Sequence, residues 1–169
     1  MALSGISTAV LAATPQTEGT QGGTDPGIEP FSAHYVAEWR DISVGVSDLE
    51  RSARFYERAL AALGLSRLVT RPATIGFGKN YPEFWINLRA DMAPVALDGG
   101  AHICLRAKTT GEVDAFHAAA LNAGGSSDGP PGLRPHDRVR YYAAFVRDPD
   151  GNRIEAVTFP KDDANGAAP

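Results

Sequence analysis

Two residues able to do chemistry stand in apolar, strand-like surroundings in the second half of the chain: His102 in "AHICLRA" and Glu155 in "RDPDGNRIEAV". A neutral imidazole beside one or two carboxylates can hold a divalent metal ion, which polarises a bound oxygen or acidifies a bound water. Neither residue settles this locally. Alternation places Arg153, Glu155 and Val157 on one strand face and Ile154, Ala156 and Thr158 on the other, a pattern that an ordinary solvated glutamate also satisfies. An isolated strand histidine is likewise more often a packed residue than a ligand. The rest of the chain must say which face looks inward.

An internal repeat supplies that context. "FYERALAALG" (55–64) and "FHAAALNAGG" (116–125) match at Phe55/Phe116, Ala59/Ala120, Leu60/Leu121, Ala62/Ala123 and Gly64/Gly125, every pair 61 residues apart. The same offset sets His102 on Asp41, at the start of "DISVGV". In the first copy Ser47 and Glu50 read as a capping box. Leu49, Ala53, Tyr56, Leu60 and Leu63 form one stripe, predicting a helix over 48–63. In the second, Thr109 and Glu112 form a similar box, with Val113, Phe116, Ala120 and Leu121 as the stripe. Short strand-like runs follow each helix: "LSRLVT", "ATIGFG" and "EFWINLR", then a Gly/Pro/Ser-rich passage, "RYYAAFV" and "NRIEAVTF". "DPDG" predicts a hairpin between the last two. Aligning it with "GKNYP" sets Trp85 on Glu155 at an offset of 70. Four positions therefore matter together: Asp41, Trp85, His102 and Glu155.

The chain has 169 residues, of which 43% are hydrophobic, enough for one core. Net charge is −4, with no basic run able to neutralise phosphates, so nucleic acid is not an expected partner. Cys104 is the only cysteine and reads as a small buried apolar residue. No Lys or Arg precedes Arg40, so the basic start of a secretory signal is missing. No run of about 18 apolar residues could span a membrane. A cytoplasmic location is expected. Residues 14–30, rich in Thr, Gly, Gln and Pro, have the composition of a flexible lead-in. The expected organisation is an N-terminal extension over 1–36, a domain over 37–160 with modules at about 41–90 and 101–158, and a tail over 161–169.

"DISVGVSDLERSARFYERALAALGL", "AHICLRAKTTGEVDAFHAAALNAGG" and "YYAAFVRDPDGNRIEAV", in this order and spacing, resemble the vicinal oxygen chelate superfamily, the glyoxalase, bleomycin-resistance and extradiol-dioxygenase group. The resemblance covers 41–158. It implies an α+β fold of two βαβββ modules whose curled mixed sheets enclose a cleft. It does not imply one reaction, because that fold hosts isomerases, lyases, dioxygenases and metal-free binders.

In the family, ligands lie on the first and last strand of each module. Carried over, His102 and Glu155 match the usual His and Glu, Asp41 stands where a His is expected, and Trp85 where an acid often stands. The resemblance thus implies a divalent ion (Mn, Mg, Zn, Fe or Ni) held by His102, Glu155 and Asp41, with Glu155 in the catalytic role. Asp41 reads equally as a strand-end carboxylate paired with Arg40 or Arg153. Trp85 cannot bind a metal but can wall the site for a flat substrate. Arg134, or His136, could meet an anionic substrate from the loop "GPPGLRPHD", which is long enough for a lid. Tyr141 and Tyr142 point to opposite faces, so one of them faces the site, and Tyr141 is the candidate for substrate contact. His117 reads as a helix-surface residue, and His34 could serve only if the lead-in folds over the cleft. Two functions stay open: a metal-dependent lyase, isomerase or dioxygenase acting on a small oxygen-bearing substrate, and a metal-free small-molecule binder or sequestering protein of the bleomycin-resistance type. The resemblance also implies a homodimer.

Overall fold

Helix formation is dictated at both repeats by a polar cap followed by an apolar stripe. In the computed structural model, which describes residues 42–97 and 99–161, α1 spans Leu49–Ala61 and α2 spans Thr110–Asn122. The cap of α1 is Asp48, whose side chain accepts from Arg51 N at 3.0 Å, not Ser47 as the sequence suggests. The Ser47 hydroxyl is taken instead by Asp150, far away in sequence. α2 starts as expected: Thr109 accepts from Glu112 N at 3.1 Å, and Glu112 reaches back to Lys108 N at 2.7 Å. Phe55, Tyr56, Ala59 and Leu60 of α1 and Val113, Phe116 and Ala120 of α2 are buried. Leu121 is not: at 39% exposure it lies beside the stripe. Each fully buried large side chain contributes about 1.5–3 kcal/mol, so these stripes hold the helices on their sheets.

Eight strands complete two mixed sheets. β1 (Ile42–Val46), β2 (Ser66–Arg71), β3 (Thr74–Gly78) and β4 (Pro82–Leu88) are ordered β1-β4-β3-β2. β5 (Ile103–Arg106), β6 (Ser126–Arg134), β7 (Tyr141–Arg147) and β8 (Arg153–Thr158) are ordered β5-β8-β7-β6. In each module the first and last strands pair in parallel and the rest antiparallel. The fold is the expected pair of βαβββ modules, and neither sheet closes into a barrel.

β6 corrects one reading. Residues 129–134 of "GPPGLRPHD" are an edge strand on β7, not part of a lid. Proline lacks the N–H a ladder needs, and the sheet accommodates Pro130 and Pro131 at an edge, where the register skips from Gly129 to Gly132. Only the segment after Arg134 connects β6 to β7 as a loop.

One core joins both modules, with α1 packed on α2. Their approach is close: a Cβ on Gly125 would stand 2.6 Å from Phe55 Cε2 and 2.7 Å from Arg147 O. A polar clasp reinforces the join. The β7–β8 turn sends Asp148 to Tyr56 (hydroxyl to Oδ2, 2.7 Å) and Asp150 to Arg51 (2.7 Å) and Ser52 (3.2 Å), while Asn152 Nδ2 donates to Gly45 O at 2.9 Å. Burial, then the Asp148 carboxylate, raises the Tyr56 hydroxyl well above its usual range, so it stays a donor. The turn that feeds Glu155 into β8 is thereby anchored to the first module. No helix among the described residues is long and apolar enough to cross a membrane.

Candidate functional site

Core residues Ile154 and Ala156 fix the pleat of β8, so Glu155 must point to the opposite face. There it is only 1% exposed. Its neighbours across the sheet are Cys104 on β5 and Phe145 on β7. His102, immediately before β5, places Nε2 3.0 Å from Glu155 Oε2. The Tyr141 hydroxyl donates to Oε1 in a short hydrogen bond. Cys104, register-paired with Glu155, carries its thiol close enough to feel the charge of the same carboxylate. His102 is accessible, with 38% of its side chain exposed. The groups shown holding Glu155 all come from the second module.

Electrostatics define what these partners do. Burial, then the hydrogen bond and charge of Glu155, push the Tyr141 hydroxyl well above its usual range. Burial and the same carboxylate push the Cys104 thiol up to about 12. Both groups therefore stay protonated, and Tyr141 donates to Glu155. Cys104 is an exposed residue, not the buried apolar one its flanks suggest. Tyr142 points to the other face, where its hydroxyl donates to Asp114 at 2.7 Å, so Tyr141 is the tyrosine on the site side.

The first module repeats the arrangement with different chemistry. Ser43 pairs with Trp85 as Cys104 pairs with Glu155, so the structural offsets are 104 − 43 = 61 and 155 − 85 = 70, those of the sequence repeat. Trp85 lies flat over Gly76, where a Cβ would stand 2.8 Å from Cζ3, and Arg71 sits 5.9 Å from its ring. Its indole N–H is buried without a partner. Asp41 and His34 fall outside the described residues.

Arg134 closes β6 and donates to Pro130 O at 2.5 Å and Ala143 O at 3.1 Å, with its guanidinium 5.4 Å from the Phe145 ring. His136 meets the Tyr141 ring edge at 6.2 Å. His117, as a helix-surface residue, pairs with Ser127 Oγ at 2.8 Å, away from Glu155. Cys104, Phe145 and Arg106 were missed in the sequence as site residues. For Cys104 the signal was there, since period-2 alternation puts residue 104 on the face of residue 102.

The donor set fits a divalent ion in part. An imidazole nitrogen and a carboxylate oxygen are standard ligands, and their 3.0 Å separation is what two neighbouring ligands, each about 2.1 Å from one ion, span at a right angle. Among the described residues, however, no group of three or more His, Cys, Asp or Glu side chains converges to hold an ion.

The sequence profile of the glyoxalase/bleomycin resistance protein/dioxygenase superfamily matches residues 32–156. The chain belongs to this superfamily. A glyoxalase/bleomycin resistance protein from Albidiferax ferrireducens T118 is 34% identical, aligned over 72% of this chain and 98% of that one, with a TM-score of 0.62. A glyoxalase-related enzyme from Fulvimarina pelagi is 26% identical over 70% and 85%, with a TM-score of 0.54. A glyoxalase/bleomycin resistance protein/dioxygenase from Alicyclobacillus acidocaldarius, 15% identical over 75% and 94% with a TM-score of 0.55, shares the fold. No curated protein matches the chain.

Proposed function

We propose that this superfamily member is a metal-dependent enzyme of lyase, isomerase or dioxygenase type, acting on a small oxygen-bearing substrate, with His102 and Glu155 as protein ligands and Asp41 as a third. The observation that carries this reading is the imidazole–carboxylate pair, 3.0 Å apart on the face of the second sheet opposite the core. A bound divalent ion (Mn, Mg, Zn, Fe or Ni) would polarise a substrate oxygen and stabilise the charge developing on it. Tyr141 orients the Glu155 carboxylate, and His102 presents its ring at the accessible edge. Trp85 and Arg134 are the proposed substrate contacts. Metal analysis of protein purified without chelator tests the reading. Stoichiometric metal in the unmodified chain, lost in Glu155→Gln and His102→Ala, is expected; a metal-free unmodified chain removes it.

A second reading is favoured by a specific observation: Glu155 is already met by His102, Tyr141 and Cys104, while its counterpart in the first module is an indole. The chain would then be a metal-free binding or sequestering protein, with Trp85 as the platform. Trp85→Ala should abolish ligand affinity and the ligand-induced fluorescence change; retention of both argues against it. We further propose a homodimer, which sedimentation decides, and a cytoplasmic location, where an exposed free thiol such as Cys104 stays reduced.

A further inference from the structure

The face that carries Glu155 is rich in cation, although the chain as a whole is acidic at −4. Arg153 and Arg147 share a single carboxylate, Asp128, whose Oδ1 lies 3.2 Å from Arg147 Nε and whose Oδ2 meets Arg153 Nε. Arg106 and Arg134 have no carboxylate of the described residues within ion-pair distance. Each is held by an arene instead: Arg106 Cζ stands 4.2 Å from the Phe159 ring centre, and Arg134 Cζ 5.4 Å from that of Phe145. Stacking fixes a guanidinium plane without neutralising it and leaves in-plane N–H donors pointing outward. In Arg134 backbone carbonyls take Nη2 and Nε is buried without a partner, so Nη1 is the nitrogen left for a ligand.

Both guanidiniums belong to the site by position. Arg106 is two residues beyond Cys104 on the same strand face, and Arg134 is register-paired with Tyr141. Phe159, which carries Arg106, stacks on the Tyr141 ring at 5.5 Å. Their fields reach the groups that hold Glu155, since Arg106 pulls against the rise of the Cys104 thiol and Arg134 against that of the Tyr141 hydroxyl. Uncompensated, oriented guanidiniums beside a reacting centre are the means by which carboxylates and phosphates are recognised.

We propose that the site takes a small molecule bearing an oxyanion, a carboxylate or a phosphate ester, gripped by Arg106 and Arg134 so that the rest of the molecule lies against His102 and Glu155. The inference rests on the reading of His102 and Glu155 as the centre, and names the chemistry of what reaches it.

Calorimetric and ¹H–¹⁵N NMR titrations with benzoate, phenyl phosphate and the uncharged isostere benzamide test it. Benzoate or phenyl phosphate should bind at least about tenfold tighter than benzamide. Amide shifts should concentrate in 103–106, 133–134, 141–145 and 153–159. Arg106→Gln, a change at an exposed side chain, should weaken anion binding about tenfold, with Arg106→Lys intermediate because it keeps the charge and loses the fork. Arg58→Gln, on the exposed face of α1, should change nothing and so excludes a mere net-charge effect. Equal affinity for benzoate and benzamide, no anion binding, shifts elsewhere, or an unaffected Arg106→Gln each overturns the proposal. The ratio of benzoate to phenyl phosphate affinity tells the two anion sources apart. Repeating the titration on chelator-treated protein separates the two claims. Anion binding that persists without metal and falls in Arg106→Gln stands even where metal analysis has failed. Binding that needs metal and ignores Arg106→Gln sinks the oxyanion grip while sparing the metal reading.

Discussion

At equivalent register positions the first sheet carries Ser43 beside Trp85 and the second carries Cys104 beside Glu155. One scaffold has thus been furnished in two ways. In the second module a carboxylate at 1% exposure is made tenable by an imidazole and a phenol, because a buried charge needs partners that replace water. In the first, an indole needs only room, which Gly76 provides, and a cation on its face, which Arg71 provides. The difference teaches that duplicated backbone geometry specifies where a site lies and leaves open which chemistry occupies it.

The largest test breaks the junction on which both halves depend. Gly125→Val drives a side chain into Phe55 and the Arg147 carbonyl and should cost about 3 kcal/mol or more, read as a lower urea midpoint with both modules unfolding together. Independent unfolding of the two would show that the shared core does not couple them.

Next comes the clasp. Asp150→Asn loses charge-assisted bonds to Arg51 and Ser47 and should cost about 1.5–3 kcal/mol near neutral pH. Burial works to raise Asp150, but its bonds to Ser47 and Arg51 outweigh that and hold the carboxyl below its ordinary value. A carboxylate lowered by folding stabilises above its unfolded pKa of about 3.9, and the contribution disappears as pH falls through the folded value. The variant should therefore show a shallower loss of stability below about pH 5 in denaturant titrations. Asp148 acts oppositely, since burial raises it and its contribution fades as pH rises.

A third variant sharpens the contrast between modules. Glu155→Gln removes the negative charge that suppresses the Cys104 thiolate, so alkylation of Cys104 at pH 8.5 should accelerate about tenfold. An unchanged rate would mean that burial alone holds the thiol up. The smallest expected effect is Arg71→Ala, about 0.5–1 kcal/mol, with a red-shifted Trp85 emission as the indole gains water.

Much of this was legible in one dimension. The repeat offsets of 61 and 70 reappear as strand register, because side chains on paired strands are locked to the backbone ladder. The Thr109 cap, both helices and the β7–β8 hairpin follow from local patterns. The misreadings have one cause. Ser47 left its capping role for Asp150, 103 residues away, and a neighbouring aspartate took over the cap. "SSDGPPGLR" reads as loop by composition, yet β7 offers it an edge. Leu121 fits the helical stripe, but at 39% exposure it sits at the margin of the packed face of α2.

By itself, then, the sequence determined a repeated unit, its two helices and the β7–β8 hairpin, since these depend on periodicity and on interactions a few residues apart. Only the tertiary structure decided that Tyr141 and His102 converge on one buried carboxylate, and that Arg106 and Arg134 stack on the arenes Phe159 and Phe145. Those contacts join strands that meet only after the core has formed, and what a charge costs to bury depends on the neighbours that meet it there.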